Sequence, residues 1–170
     1  MSVTLEQLSE RITTTGDRTD RYLVVRLGDQ RYGLRQRQVQ GIASWSGMTS
    51  VTGMPRYVPG VLQQGKATIP VIDMRHLFKF DTVPFGADTA VILVKSVSDS
   101  GQARALGLLV DAVLERRDIS PADVTQPRDL AETAHTKAAI GVAATDAGPL
   151  ILLDTDRLGS SGALQSVDGI

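Results

Sequence analysis

The sequence predicts a mostly β protein, organised as a barrel or a sandwich, with few and short helices. Short apolar runs recur along the chain, and clusters of Gly, Pro, Asp and Ser separate them. Many short strands joined by such turn residues are typical of small barrels and sandwiches. Strands are predicted over residues 22–27, 31–34, 43–52, 57–62, 68–73, 90–97, 104–110, 113–117, 140–144 and 150–154.

The first two predicted strands form the clearest hairpin. Leu23, Val25 and Leu27 alternate with their neighbours, which places these three side chains on one face of a strand. A Gly-Asp-Gln turn cluster follows, and a second short run occupies residues 31–34. This pattern predicts an antiparallel hairpin.

Helical spacing is confined to a few segments. Leu5, Leu8 and Ile12 lie about one helical turn apart, so residues 3–12 are predicted as an amphipathic helix, followed by a polar linker up to residue 21. The Gly- and Ser-rich residues 159–170 are predicted as a flexible tail. Further short helical turns are predicted at residues 36–42, ending near Gly41, at residues 73–78, after Pro121 and after Asp154.

A weak internal repeat divides the chain. Gly33 precedes Val39 by the same spacing that separates Gly107 from Val113, and each pair follows a predicted strand and a polar turn. This repetition predicts two similar halves. The polar stretch 79–88 is predicted as the boundary between them.

Composition excludes several classes of protein. The chain has 170 residues, 18 Lys and Arg against 19 Asp and Glu, and no cysteine. Without cysteine there is no disulfide scaffold, thiolate catalysis or cysteine-ligated metal. A net charge of −1 with scattered basic residues gives no electrostatic footprint for nucleic acid or an anionic membrane. No apolar run approaches the roughly 20 residues of a spanning helix and no signal-peptide pattern is present, so a cytoplasmic protein is expected.

One motif is similar to a phosphate-binding loop. Gly60, Gly65 and Lys66 fit the pattern G-x-x-x-x-G-K, but Ala67 stands where the loop needs Ser or Thr to hold magnesium. A strand, rather than a helix, is predicted after the lysine, so the helix N-terminus that would hold the phosphates is missing. The sequence favours a hairpin turn at Gly65, with a nucleotide-dependent enzyme as a disfavoured alternative.

Other candidate chemical groups are isolated. No second histidine or carboxylate cluster at ligand spacing surrounds His76 or His135, so neither is expected to bind a metal. Asp73 is predicted to cap the helical turn that follows it, with Arg75 paired locally at the surface. Trp45 is predicted to pack within a strand. The residues alone predict a protein without catalytic activity that works through its surface.

Four short blocks carry a family resemblance. The first is residues 22–34, with Leu-Gly-Asp followed by Tyr-Gly-Leu; the others are residues 54–61, 69–75 and 107–113. In this order they resemble the CheW family of bacterial chemosensory adaptors, from about residue 22 to about residue 158.

The resemblance implies a fold of two small five-stranded β-barrels packed side by side around a hydrophobic core. It also implies a protein with no enzymatic activity and no cofactor. Family members couple the cytoplasmic tip of chemoreceptors to the histidine kinase CheA. The receptor's helical hairpin binds in a groove between the barrels, and the kinase binds one barrel's apolar surface.

Positions carried over from the resemblance define two candidate surfaces. The receptor groove would include Val39, Ala90 and Val113, with Arg116 placing a charge on its rim. The alternative is that these three apolar residues only pack between strands, because a core and a groove use the same residue types. The kinase-binding surface would consist of Tyr57, Val58, Gly60, Val61, Leu62 and Gly65.

Three positions depart from the family pattern. Gly41 stands where the family usually has Glu, Gly65 stands where it has Arg, and Arg116 replaces an apolar residue. These differences leave two interpretations of function open. One is an adaptor between receptors and a CheA-type kinase, and the other is a divergent scaffold for another pathway, such as pilus control, surface motility or non-motility signalling.

Overall fold

A computed structural model describes residues 19–81, 84–97, 100–125 and 138–159. The predicted helix over residues 3–12, nearly all of the predicted tail, and His135 lie outside the described residues. Within the described part, eleven strands form two sheets and two short α-helices follow two of the strands. The prediction of a mostly β protein with few helices is confirmed.

The larger sheet has six strands in the order β8-β1-β2-β11-β10-β9. The predicted hairpin, β1 and β2, lies inside this sheet, and Gly28 occupies its turn with φ of 57°, a conformation that favours glycine. The first strand starts at Asp20, so the end of the predicted linker belongs to the sheet. The strands are β1 (Asp20–Leu27), β2 (Gln30–Arg35), β8 (Ala112–Ile119), β9 (Val124–Thr125), β10 (Ala139–Thr145) and β11 (Gly148–Leu153).

The smaller sheet has five strands in the order β3-β6-β7-β5-β4. Helix α1 (Met74–Leu77) follows its strand β5, and helix α2 (Thr155–Gly159) follows β11 of the larger sheet. The strands of the smaller sheet are β3 (Val39–Ser44), β4 (Gly60–Gln64), β5 (Ala67–Asp73), β6 (Ala90–Val97) and β7 (Ala103–Val110).

The region from residue 36 to residue 52 differs from its prediction. Only Gln36–Gln38 is helical, as a single 3₁₀ turn, and β3 runs on through Gly41. This strand then ends at Ser44, whose side chain accepts a hydrogen bond from the Ser46 N–H and so caps a second 3₁₀ turn. Trp45 therefore lies in that turn rather than in a strand, although it packs against the core as predicted.

The two sheets share a topological unit. Strands β1 and β2 form a hairpin whose second strand pairs in parallel with β11, and β6 and β7 form a hairpin whose second strand pairs in parallel with β5. Gly33 and Gly107 lie in these two parallel pairings, opposite Leu152 and Val71. Each parallel partner strand leads into a short α-helix.

The predicted boundary does not divide the two sheets, and this is a correction. Strands β5 and β6 lie on either side of residues 79–88, yet both pair with β7 in the smaller sheet. Each sheet combines a hairpin from one half with strands from the other half. The polar stretch marks an exposed connection, whereas strand pairing depends on long-range register that composition does not encode.

Three core clusters explain why so many strands are apolar on both faces. Leu23, Val25 and Leu27 lie in the largest cluster, which also contains side chains from the smaller sheet, such as Ile72 and Leu108. A second cluster contains residues of the larger sheet and a third contains residues of the smaller one. The two curled sheets therefore have their own interiors and pack together through a shared core.

Candidate functional site

Arg75 lies at the junction between the two sheets, with only 1% of its side chain exposed. Its Nε and one terminal nitrogen donate to the two carboxylate oxygens of Asp73, at 3.0 and 3.1 Å. The other terminal nitrogen donates to Asp111 at 3.2 Å. The prediction that Arg75 pairs at the surface is wrong, because Asp111 covers it from a distant part of the chain. The predicted cap is confirmed, since Asp73 also accepts from the Arg75 N–H at 3.0 Å.

Backbone groups extend the cluster around Arg75. The second carboxylate oxygen of Asp111 accepts from the Gly28 N–H at 2.8 Å, and the Asp111 N–H donates to the Arg26 carbonyl at 3.0 Å. The Asp73 N–H donates to the Tyr57 carbonyl at 2.7 Å. The four blocks that carry the family resemblance therefore all meet here. We refer to Asp73, Arg75 and Asp111 as the Arg75 cluster.

Electrostatics keep the Arg75 guanidinium charged. Burial lowers its pKa, but the hydrogen bonds and negative charges of Asp73 and Asp111 raise it, and the net shift is upward. A buried cation of this kind is compatible with folding only because its donors are matched by carboxylates. The sequence carries a faint signal for this cluster, since both acids stand at the ends of apolar strands. The residues next to each acid in the sequence do not show that both acids contact the same arginine.

The three apolar residues of the predicted groove share one environment. Val39, Ala90 and Val113 are all half-buried and pack against the edge of the shared core. Val39 opens β3 opposite Val94, whereas Ala90 opens β6, so these two lie about 13 Å apart along the ribbon at roughly 3.3 Å per residue. We refer to Val39, Ala90 and Val113 as the apolar margin. They lie along the edge of the shared core and do not form one compact patch.

Arg116 lies at the Val39 end of this margin. It is exposed on β8, and its Nε donates to the side-chain oxygen of Gln36 at 3.0 Å. Gln36 begins the 3₁₀ turn that leads directly into Val39. The predicted position of Arg116 beside the groove residues is therefore consistent with this contact.

Most of the predicted kinase-binding residues are not available at the surface. Val58, Val61 and Leu62 are 4%, 5% and 8% exposed and pack into the core, so their assignment as contact residues is corrected. The segment at Thr49 pairs with β4, exchanging two backbone hydrogen bonds of 2.8 Å with Val61. An apolar run in the sequence predicts a strand, but it does not show which other segments bury that strand in the folded protein.

The remaining predicted residues of that surface have different roles. Gly60 is buried, and a side chain there would collide with the Thr49 carbonyl, so it serves backbone packing. Tyr57 is half-buried and packs against the shared core. Gly65 is exposed at the tip of the β4–β5 hairpin.

The hairpin tip overturns the phosphate-loop alternative. Gly65 and Lys66 connect Gln64 to Ala67, which pair with each other, and Ala67 begins a strand rather than a helix. Gly65 has φ of 63°, as the first residue of a two-residue hairpin turn often requires. The interpretation of Gly65 as a hairpin turn is confirmed.

Gly41 differs from Gly65 in what a side chain would meet. A Cβ atom at Gly41 would lie 3.8 Å from a methyl group of Leu93, which is ordinary van der Waals contact. Gly41 therefore leaves room for a Cβ atom in β3. Gly65 has open space around it, but its positive φ strains any other residue.

The described residues contain no group of three or more His, Cys, Asp or Glu placed to hold a metal ion. His76 is exposed on α1. No helix in this part of the chain is both long and apolar enough to cross a membrane.

Comparison with known proteins identifies the family. The profile of the CheW-like domain matches residues 21–162. The chain belongs to the CheW family. This is a family of non-catalytic scaffold proteins. Its members include the chemotaxis protein CheW of Klebsiella aerogenes, which is 28% identical over 149 residues, covering 88% of this chain and 87% of that protein.

Two further CheW relatives support the fold and its extent. The chemotaxis protein CheW of Rhizobium meliloti is 29% identical over 138 residues, covering 80% of this chain and 84% of its own. The crystal structure of the scaffolding protein TtCheW from Thermoanaerobacter tengcongensis superposes with a TM-score of 0.73 at 25% identity, covering 85% of this chain and 95% of that one.

The Arg75 cluster should dominate stability at the junction of the sheets. Arg75→Met leaves the Asp73 and Asp111 carboxylates facing an apolar side chain, so we expect a loss of about 3 to 5 kcal/mol in the free energy of unfolding. Arg21→Met is the matched control, because the Arg21–Asp118 pair is 60% and 55% exposed and should change stability by less than about 1 kcal/mol. Urea unfolding measures both, and equal losses would refute the role of the cluster.

Restoring the family arginine at Gly65 should cost stability. Gly65→Arg forces an L-residue to φ of 63°, and we expect a loss of about 1 to 2 kcal/mol. Lys66→Arg places the same guanidinium on the next turn residue, which has no positive φ, and should be neutral. The two variants are compared by their midpoints of denaturant unfolding. A Gly65→Arg protein as stable as Lys66→Arg would contradict the proposal that the backbone at residue 65 strains a residue other than glycine.

Proposed function

We propose that this CheW-family protein is a cytoplasmic adaptor that couples chemoreceptor tips to a CheA-type histidine kinase through non-covalent contacts. The relatives named as chemotaxis proteins support the pathway. The observation that carries the proposal is the apolar margin of Val39, Ala90 and Val113 at the edge of the shared core. These half-buried side chains still have surface to lose to a partner.

The margin suits a helical partner. A helix that docks in a groove needs apolar anchors at intervals and a polar rim, rather than catalytic groups. Val39 and Ala90 lie about 13 Å apart, which is between two and three helical turns at 5.4 Å each. The receptor's helical hairpin would thus contact both ends of the margin, with Arg116 beside one end.

The kinase contact would centre on the β4–β5 hairpin. Tyr57 and the exposed tip at Gly65 and Lys66 are the parts of the predicted surface that a partner can reach. Val58, Val61 and Leu62 would support this surface from beneath. Lys66 offers a cation one residue beyond the position where the family has Arg.

A second candidate function is a scaffold for another signalling pathway, such as pilus control, surface motility or a non-motility system. The observation that favours it is the altered set of partner-facing positions. Gly41 and Gly65 lack the family's charged side chains, and Gly65 cannot regain one without strain. A lost charge-assisted contact at an interface costs about 2 kcal/mol or more.

A binding experiment separates these two functions. The full chain is tested by calorimetry against the regulatory domain of the CheA kinase from its own genome and against a receptor-tip fragment. We expect micromolar binding to both. A folded, β-rich protein that binds neither would reject the adaptor and favour the redirected scaffold.

The groove assignment makes a sharper prediction. Val113→Asp places a charge in the apolar margin, so we expect loss of measurable binding to the receptor-tip fragment with the β-rich circular dichroism spectrum retained. Leu114→Asp is the matched control, because Leu114 is the next residue on β8 and is 45% exposed, and its binding should be unchanged. A Val113→Asp protein that unfolds would show that Val113 is a core residue and would refute the groove.

A further inference from the structure

A small basic cleft opens where β1 begins and β2 ends. Its volume is about 140 Å³, and three of its five lining residues are arginines against one acid. The register explains this clustering, since Tyr22 of β1 pairs with the last residue of β2. The lining residues are Asp20, Arg21, Arg35, Gln36 and Arg37.

Arg35 has hydrogen-bonding capacity that the fold does not use. Its Nε is buried and has no partner among the described residues. One terminal nitrogen lies 3.9 Å from an oxygen of Asp154, which is too far for a hydrogen bond. The other oxygen of Asp154 already accepts from Gln38 and from the Asp156 N–H. A buried donor left unpaired in this way costs free energy. The Arg35 side chain is 24% exposed although its Nε is buried, so a ligand would engage the terminal nitrogens of the guanidinium.

The other groups at the cleft add to its positive character. Arg37 is exposed on the 3₁₀ turn, with no ion pair to a described residue. Gln36 has its side-chain oxygen occupied by Arg116, which brings a fourth guanidinium to the edge of the cleft. Arg21 pairs with Asp118 outside the lining. Asp20 is the one acid in the lining, and Asp154 faces Arg35 from outside it, so Arg37 is the lining arginine without an ion pair to a described residue.

We propose that this cleft binds a carboxylate side chain of the partner protein that docks on the apolar margin. The inference rests on the proposed function. The volume is below the roughly 300 to 1,000 Å³ of a small-molecule site, so it suits one side chain. The planar guanidinium fork of arginine matches a carboxylate in two parallel hydrogen bonds.

The position of the cleft supports this assignment. Gln36 and Arg37 lie in the 3₁₀ turn that runs directly into Val39, the first apolar anchor. One partner helix can therefore place an apolar side chain on Val39 and an acidic side chain, one or two turns away, in the cleft. The apolar contact at Val39 and the ion pair in the cleft would together select a partner by both its shape and its charge.

The site is tested first without any partner protein. The full chain, labelled with ¹⁵N, is titrated with N-acetylglutamate at low salt while the arginine Nε–H signals are followed by NMR. We expect saturable shifts of Arg35 and Arg37, and none for the exposed Arg56, which lies outside the cleft. Shifts that are uniform across all arginines and do not saturate would overturn the site.

The second arm measures affinity for the receptor-tip fragment. Arg37→Gln should weaken binding about five- to twentyfold, because it removes one charge-assisted contact, whereas the control Arg56→Gln should leave affinity unchanged. Neutralising the matching acid of the fragment should have no further effect in the Arg37→Gln background, which identifies the pair. Circular dichroism checks that each variant is folded.

The two arms distinguish the possible failures. If the wild-type protein binds the fragment and Arg37→Gln binds equally well, the inference is overturned and the proposed function stands. If N-acetylglutamate saturates the cleft but the wild-type protein does not bind the fragment, the proposed function fails and the assignment to that partner fails with it. Saturable shifts together with selective weakening by Arg37→Gln support the proposal.

Discussion

A buried guanidinium sets the geometry of the junction between the two sheets. Arg75 requires carboxylates on two sides, and these come from Asp73 at the end of β5 and Asp111 between β7 and β8. Asp111 in turn holds the turn at Gly28 through a backbone N–H. Desolvating a cation costs several kcal/mol unless all these partners arrive together. This arrangement joins the end of β5, the β7–β8 connection and the β1–β2 turn, and so links the two sheets on which Val39 and Val113 lie.

The exchange of hairpins between the halves adds a second constraint. Each sheet takes a hairpin from one half of the chain, so neither sheet is complete without the other half. Val39 comes from the first half, whereas Ala90 and Val113 come from the second. A partner that docks on all three contacts strands of both sheets. Binding there would require that the two sheets are packed together correctly. This suits a scaffold protein, which acts by binding rather than by catalysis.

Local pattern predicted some features well and could not predict others. Strand β6 (Ala90–Val97) matches its prediction because it opens with a continuous apolar run and because polar turn residues flank it in the sequence. The burial of Val58 and Val61 does not follow from local pattern, because Val58 packs into the shared core and Val61 pairs with Thr49, contacts that only the tertiary structure creates. Arg75 was misplaced for the same reason, since Asp111 lies 36 residues away. The apolar groove residues are of types that are common in protein cores, so the sequence does not show that they are only half-buried. Their exposure follows from the fold.

The residues that carry the family likeness and those that depart from it fall in different parts of the structure. The likeness converges on the Arg75 cluster and its backbone contacts, which are internal and preserve the fold. The departures at Gly41, Gly65 and Arg116 lie on strands and turns that a partner can reach. Arg116 also extends the positive charge of the cleft at Arg35 and Arg37. In the proposed adaptor, specificity at this end of the groove would depend on a carboxylate in the partner as well as on apolar contact, which would set this protein apart from a scaffold that recognises shape alone.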